Sequence, residues 1–148
     1  MTSEGKAERV VVGVDGSAES AAAMAWAGRY ATAIGATVRA VMAWHFPGAV
    51  GGAPIGVAPA PVSGEVERSK QAELDQAIAA GFGDTDITID RKVVYGHAAK
   101  VLIDESKDAD LLVVGSRGYG GFSGMLLGSV STHCVTHAAC PVTVVRAT

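Results

Sequence analysis

The residues best placed to do chemistry lie in one stretch, residues 115–130, which reads Gly-Ser-Arg-Gly-Tyr-Gly-Gly-Phe-Ser-Gly-Met-Leu-Leu-Gly-Ser-Val. Five of its first ten residues are glycine. Glycine tolerates positive φ and lets backbone come close to a ligand. An apolar run, Leu111-Leu112-Val113-Val114, precedes the stretch and a helical pattern follows it. A strand, a glycine-rich turn and a helix start aim backbone N–H groups and the positive end of a helix dipole at one point, which is the chemistry of a phosphate cradle. It is not a Walker A loop, because no G-x-x-x-x-G-K-[ST] occurs. It is not a dinucleotide fingerprint either, since Ser123 falls where the third glycine belongs and too little chain follows for a second half. The structural alternative is a loop that only turns the chain.

A carboxylate, Asp15, ends another apolar run, Val10-Val11-Val12-Gly13-Val14. Asp15-Gly16-Ser17 is ordinary turn and cap chemistry; it also puts an acid at a strand end, where a ligand hydroxyl or amine could meet it. Arg117 either adds positive charge to a phosphate site or points into solvent. His133 and His137 are four apart, a spacing that suits zinc on one helix face. Cys134, however, continues the inward stripe Leu127, Val130, Cys134, Ala138, and Cys140 precedes Pro141 at the helix exit. No metal is expected there. No serine sits in a nucleophile elbow with a matching His and Asp, and no general base or arginine finger for fast phosphoryl transfer is evident. A receiver-type phospho-acceptor aspartate lacks the acidic cluster and lysine it would need.

These residues must be positioned by alternating strands and helices. Strands are expected at 9–14, 37–44, 87–94, 110–114 and 142–145, and helices at 18–34, 65–80, 98–107 and from 127 or 128 to 137. Continuous apolar runs mark strands buried on both faces, whereas Ile87, Ile89 and Val93 alternate with Thr88, Asp90 and Lys92 as on an edge strand. In the first helix Ala22, Ala25, Trp26 and Ala33 share a face. In the second, Val66, Leu74, Ala77 and Ile78 do so. Such alternation indicates an α/β fold: a single doubly wound domain, a five-stranded parallel sheet with helices on both faces, for which the order 3-2-1-4-5 is expected. Ligands of such sheets bind beyond the carboxyl ends of the strands at the switch in strand order. That order puts Asp15 and the glycine-rich loop side by side.

The 148 residues suit one domain, expected over residues 9–148 after a disordered leader, residues 1–8. Residues 45–64 are rich in Gly and Pro and are expected to form a mobile loop. Hydrophobic residues make up 49% and charged residues 18%, the balance of an ordered globular chain. A net charge of −3 argues against a nucleic-acid partner. There is no apolar signal segment and no membrane span, and two cysteines make no disulfide framework. A cytoplasmic protein is expected.

The spacing Gly115-x2-Gly118-x9-Gly128-Ser129 resembles the G-x2-G-x9-G-[S/T] nucleotide signature of universal stress proteins. Val12-Gly13-Val14-Asp15-Gly16-Ser17 resembles the opening strand and turn of that family. Asp110-Leu111-Leu112-Val113-Val114-Gly115, Leu127-Gly128-Ser129-Val130-Ser131 and Cys140-Pro141-Val142 are similar to its closing segments. The likeness covers roughly residues 9 to 146. It implies an ATP-binding member, with Mg²⁺ bound alongside the nucleotide. By this resemblance Asp15 and Gly13 lie against the adenosine and Ala43 lines the adenine pocket. Gly115, Gly118, Gly128, Ser129 and Val130 hold ribose and phosphates, together with the loop residues Ser116, Arg117, Tyr119, Gly120 and Gly121. The implied role is a nucleotide-dependent sensor or regulator in the stress response, with at most slow ATP hydrolysis. A cyclic-AMP binder of the same fold and a nucleotide-independent dimeric module are the alternatives. Strand 142–145 carries almost no charge to protect a sheet edge, which predicts a homodimer through it.

Overall fold

Val10, Val11 and Val12 occupy the middle of the first strand, β1 (Arg9–Gly13), and none of them exposes any surface. Successive strand residues point to opposite faces, so this run must be covered on both sides. A computed structural model describes residues 7–45, 63–83, 85–118 and 127–147. The further strands are β2 (Thr37–Trp44), β3 (Ile89–Tyr95), β4 (Leu111–Gly115) and β5 (Val142–Val145). They form one parallel sheet of order β3-β2-β1-β4-β5. Four helices connect them: α1 (Ala18–Ile34), α2 (Ser63–Phe82), α3 (Ala98–Ser106) and α4 (Ser129–His137). This is the doubly wound order expected from the sequence.

The two faces have separate cores. Val10 and Val12 pack with Met24 and Ala27 of α1 and Leu74 and Ile78 of α2. Val11 packs on the other side with Val101 and Leu102 of α3 and Cys134 of α4. Alternation along one strand therefore decides which helices it meets. The buried face of α1 differs from the sequence expectation: Ser20, Ala23, Met24, Ala27 and Ala31 are buried, whereas Ala33 is exposed and Ala22, Ala25 and Trp26 are half-buried. Alanines lie all round this helix, so periodicity alone selects no face.

Helix ends set the turns near the site. Ser17 caps α1, its Oγ accepting from the Ser20 amide at 3.1 Å. Gly16, at φ 84°, makes the tight turn before it, in the left-handed region that glycine enters at little cost. On the α3 side of the sheet, Glu105 accepts from Arg39 of β2 at 3.1 Å and from Lys92 of β3 at 2.6 Å. That explains how a central strand accommodates an arginine.

β3 and β5 lie at the two edges of the sheet, as the alternation of β3 and the uncharged run of β5 suggest. Helix α2 begins at Ser63 and runs to Phe82, two residues beyond the expected helix at each end. Most of the loop expected over residues 45–64, and most of the leader, lie outside the described residues.

Candidate functional site

At the carboxyl ends of β1, β2 and β4 the sheet opens into a cavity of about 350 Å³. This is the switch point, because β1 and β4 are neighbours whose following helices, α1 and α4, lie on opposite faces and lead to strands on opposite sides. The volume falls at the small end of ligand pockets in general.

One side of the cavity is apolar. It is made by Val41 and Ala43 of β2, Val14 after β1, and Ala98 and Leu102 one turn apart on α3. The other side is backbone-rich and polar: Gly115, Arg117 and Gly118 after β4, then Gly128, Ser129, Val130 and Ser131 at the start of α4. Asp15 joins the two sides. Its Oδ1 accepts from the Ser17 amide at 2.9 Å, and its own amide donates to Ser20 Oγ at 3.4 Å. The carboxylate is thus part of the turn and cap, and it also lines the cavity.

The loop after β4 is held from beneath. Ser116 is buried; its amide donates to the Val145 carbonyl at 2.8 Å. Its carbonyl accepts from the Gly128 amide at 2.7 Å and from Ser131 Oγ at 3.0 Å. Ser131 Oγ also bonds the Gly128 carbonyl at 3.0 Å. This knot ties β4, β5 and α4 together and fixes where α4 begins. Helix geometry then leaves the amides of Ser129, Val130 and Ser131 without intrahelical acceptors. These donors and the helix dipole suit an anion.

The glycines of the signature are small for different reasons. A Cβ on Gly115 would fall 2.7 Å from Glu19 Cβ and 2.9 Å from its carbonyl oxygen, so β4 and the first turn of α1 meet where only hydrogen fits. A Cβ on Gly118 would fall 2.5 Å from Asp15 Oδ2. A Cβ on Gly13 would meet Leu102 Cδ1 at 2.8 Å. Gly128 has more room, its nearest neighbour being Arg117 Cα at 3.4 Å.

Of the residues expected from sequence, Gly13, Asp15, Ala43, Gly115, Arg117, Gly118, Gly128, Ser129 and Val130 line this one cavity. Ser116 sits behind it as a brace rather than on its surface. Tyr119, Gly120 and Gly121 lie outside the described residues. Arg117 does not point into solvent: its Nη2 lies 3.1 Å from Glu19 Oε2.

Sequence reasoning missed Val14, Ser20, Val41, Ala98, Leu102, Val114 and Ser131. Val41 and Val114 share the strand ends already suspected and were within reach. The facing of Ala98 and Leu102 depends on how α3 packs and had no local signal.

His133 and His137 do pair on α4, with ring centroids 6.2 Å apart. Cys134 points away from them into the core, where burial pushes its thiol up to about 11. Among the described residues no group of three or more metal-ligating side chains gathers.

An α/β domain with a cavity at its switch point, apolar on one side and rich in backbone N–H groups on the other, has the architecture in which such sheets bind ligands. A model of the universal stress protein family matches residues 6–146, and the chain belongs to that family. A universal stress protein of Mycolicibacterium smegmatis is 39% identical over 139 residues, covering 93% of this chain and 45% of the relative. The chain thus spans less than half the length of this curated relative. A universal stress protein crystallised in complex with cAMP is 28% identical, with a TM-score of 0.65, and the match covers 96% of this chain and 98% of that one. The protein MJ0577, at 16% identity, shares the fold with a TM-score of 0.79 over 94% of this chain and 95% of its own.

Proposed function

We propose that this chain is an ATP-binding universal stress protein that acts as a nucleotide-dependent regulator. The observation that carries the reading is the division of one cavity into an apolar side at β2 and α3 and an amide-rich side at β4 and α4. A ligand with a flat apolar base and an anionic tail matches that division. Asp15 stands between the sides, where a ribose hydroxyl would meet a carboxylate without placing it against phosphates. The neighbour in complex with cAMP supports an adenine nucleotide as the ligand class.

Residues 9–148 form the proposed nucleotide-binding domain. Gly13, Asp15 and Ala43 take the adenosine. Gly115, Arg117, Gly118, Gly128, Ser129 and Val130 take ribose and phosphates, with Tyr119, Gly120 and Gly121 completing the loop. Mg²⁺ would arrive on the phosphates with most of its waters, as this cation usually binds, and so needs no dedicated cage. Hydrolysis is at most slow: Asp15 is the only carboxylate among the described cavity-lining residues, and one of its oxygens is committed to Ser17.

Mass spectrometry of the supernatant from denatured, freshly purified protein should show an adenine nucleotide, and ATP should raise the melting temperature by mass action. Absence of both results overturns the reading. Cyclic AMP is the second candidate, favoured by that same neighbour; competition against ATP separates the two.

The protein is further proposed to be cytoplasmic and homodimeric. Among the described residues no helix is long and apolar enough to cross a membrane. β5 pairs with β4 on one side, and Val142, Val144 and Val145 all keep partial exposure at the sheet edge. A second copy pairing there would remove an edge that invites aggregation. A monomeric mass by light scattering at micromolar concentration would count against it.

A further inference from the structure

Glu19 stands in the first turn of α1, and its carboxylate meets Arg117, 98 positions later in the chain, at 3.1 Å. The side chains of the pair are only 15% and 27% exposed, against 50% and 77% for the surface pair Asp104–Lys100. Solvent therefore screens the Glu19–Arg117 interaction far less. Gly115 packs directly on the Cβ and backbone of Glu19, so the root of that side chain is fixed.

Arg117 lines the cavity and Glu19 does not. Among the described residues that line it, Arg117 is the only Lys or Arg. The charge of this cation is thus already compensated by Glu19 before any ligand binds. A neutral ligand gains nothing from it. A single phosphate must share the guanidinium with a carboxylate. A chain of phosphates carries enough charge to take over the planar fork of donors that arginine offers to oxyanions.

We propose that Glu19 sets the selectivity of the site for phosphate number by competing with the ligand for the Arg117 guanidinium. This rests on the adenine-nucleotide reading above. Glu19 is a specificity-determining residue that works through Arg117 and makes no contact with the ligand.

The test is calorimetric titration of the full chain with adenosine, AMP and ATP, in wild type, Glu19→Gln, Arg117→Gln and the double variant. Glu19→Gln should tighten ATP about tenfold and AMP about threefold, and leave adenosine within about twofold, the scale of one charge-assisted bond. Arg117→Gln should weaken ATP at least about tenfold, and in the double variant Glu19→Gln should no longer improve ATP. Glu19→Asp, which keeps the acid but is one methylene too short to hold Arg117, should shift ATP in the same direction as Glu19→Gln and serves if the latter does not fold. Equal shifts for ATP and adenosine, weaker ATP binding by Glu19→Gln, or an ATP gain that persists without Arg117 would each overturn the proposal. Wild-type protein that is folded and binds neither adenosine nor ATP would instead remove the nucleotide reading, and this inference with it.

Discussion

The carboxylate of Asp15 and the α-carbon of Gly118 lie so close that a side chain on Gly118 would have its Cβ 2.5 Å from Asp15 Oδ2. The turn after β1 and the loop after β4 therefore meet through a glycine, and the cavity lies where they meet. Gly118→Val should weaken ATP binding at least about tenfold, or about 1.4 kcal/mol, by displacing Asp15 or the loop. Calorimetry reads the affinity, and a melting curve shows whether the fold survives. Unchanged affinity would remove the cradle assignment.

Gly115 and Gly13 should separate in a stability measurement. A Cβ on Gly115 runs into backbone atoms of Glu19 that cannot rotate away, whereas one on Gly13 meets a terminal methyl of Leu102. Gly115→Ala should cost about 1–3 kcal/mol, the range for overpacking a well-filled interior. Gly13→Ala should cost less, because Leu102 can change rotamer. Urea denaturation gives both values, and equal costs would contradict the distinction.

Glu105 predicts a pH dependence of stability. Burial alone would raise its pKa, but the bonds from Lys92 and Arg39 outweigh burial and hold it below the ordinary value of 4.5. A carboxyl group whose folded pKa is depressed stabilises the fold above its unfolded pKa and loses that contribution as pH falls through the folded value. Glu105→Gln should therefore cost about 1.5–3 kcal/mol at pH 7, the range for a hydrogen bond to a charged group. The half-exposed Lys92 places the expectation at the low end. The difference from wild type should shrink as pH falls below 4.5. Urea titrations from neutral to acid pH check this, and a gap that stays constant would refute it.

The two cysteines should differ in reactivity. Burial pushes Cys134 up to about 11, so it holds almost no thiolate at pH 8. Cys140 is also raised, by burial and by the Asp110 carboxylate, but it is partly exposed. A thiol reagent should modify Cys140 slowly in the native protein and reach Cys134 only after unfolding. Equal native rates would show that α4 opens far more readily than its packing suggests.

Much of the architecture is legible in the chain because its causes are local. The valine run of β1 needs cover on both faces, Gly35 ends α1 at φ 73°, and the alternation of β3 marks an edge. The glycine spacing is legible as a pattern, although what excludes a side chain there is tertiary: Glu19 packs against Gly115 and the Asp15 carboxylate against Gly118. The buried face of α1 was not legible. When alanine occupies nearly every side of a helix, only the shape of the sheet and of α2 decides which side is covered.

By itself the sequence determined the alternating elements, the family likeness and the loop that gathers backbone donors, because these follow from periodicity, turn chemistry and fixed spacing. Tertiary structure alone decided three other features. It turned Ala98 and Leu102 of α3 toward the cavity, made Ser116 a brace behind the site, and joined Arg117 to Glu19 across 98 positions. Each depends on how separate elements pack, and no local pattern of residues encodes the distance between two surfaces that meet only after folding.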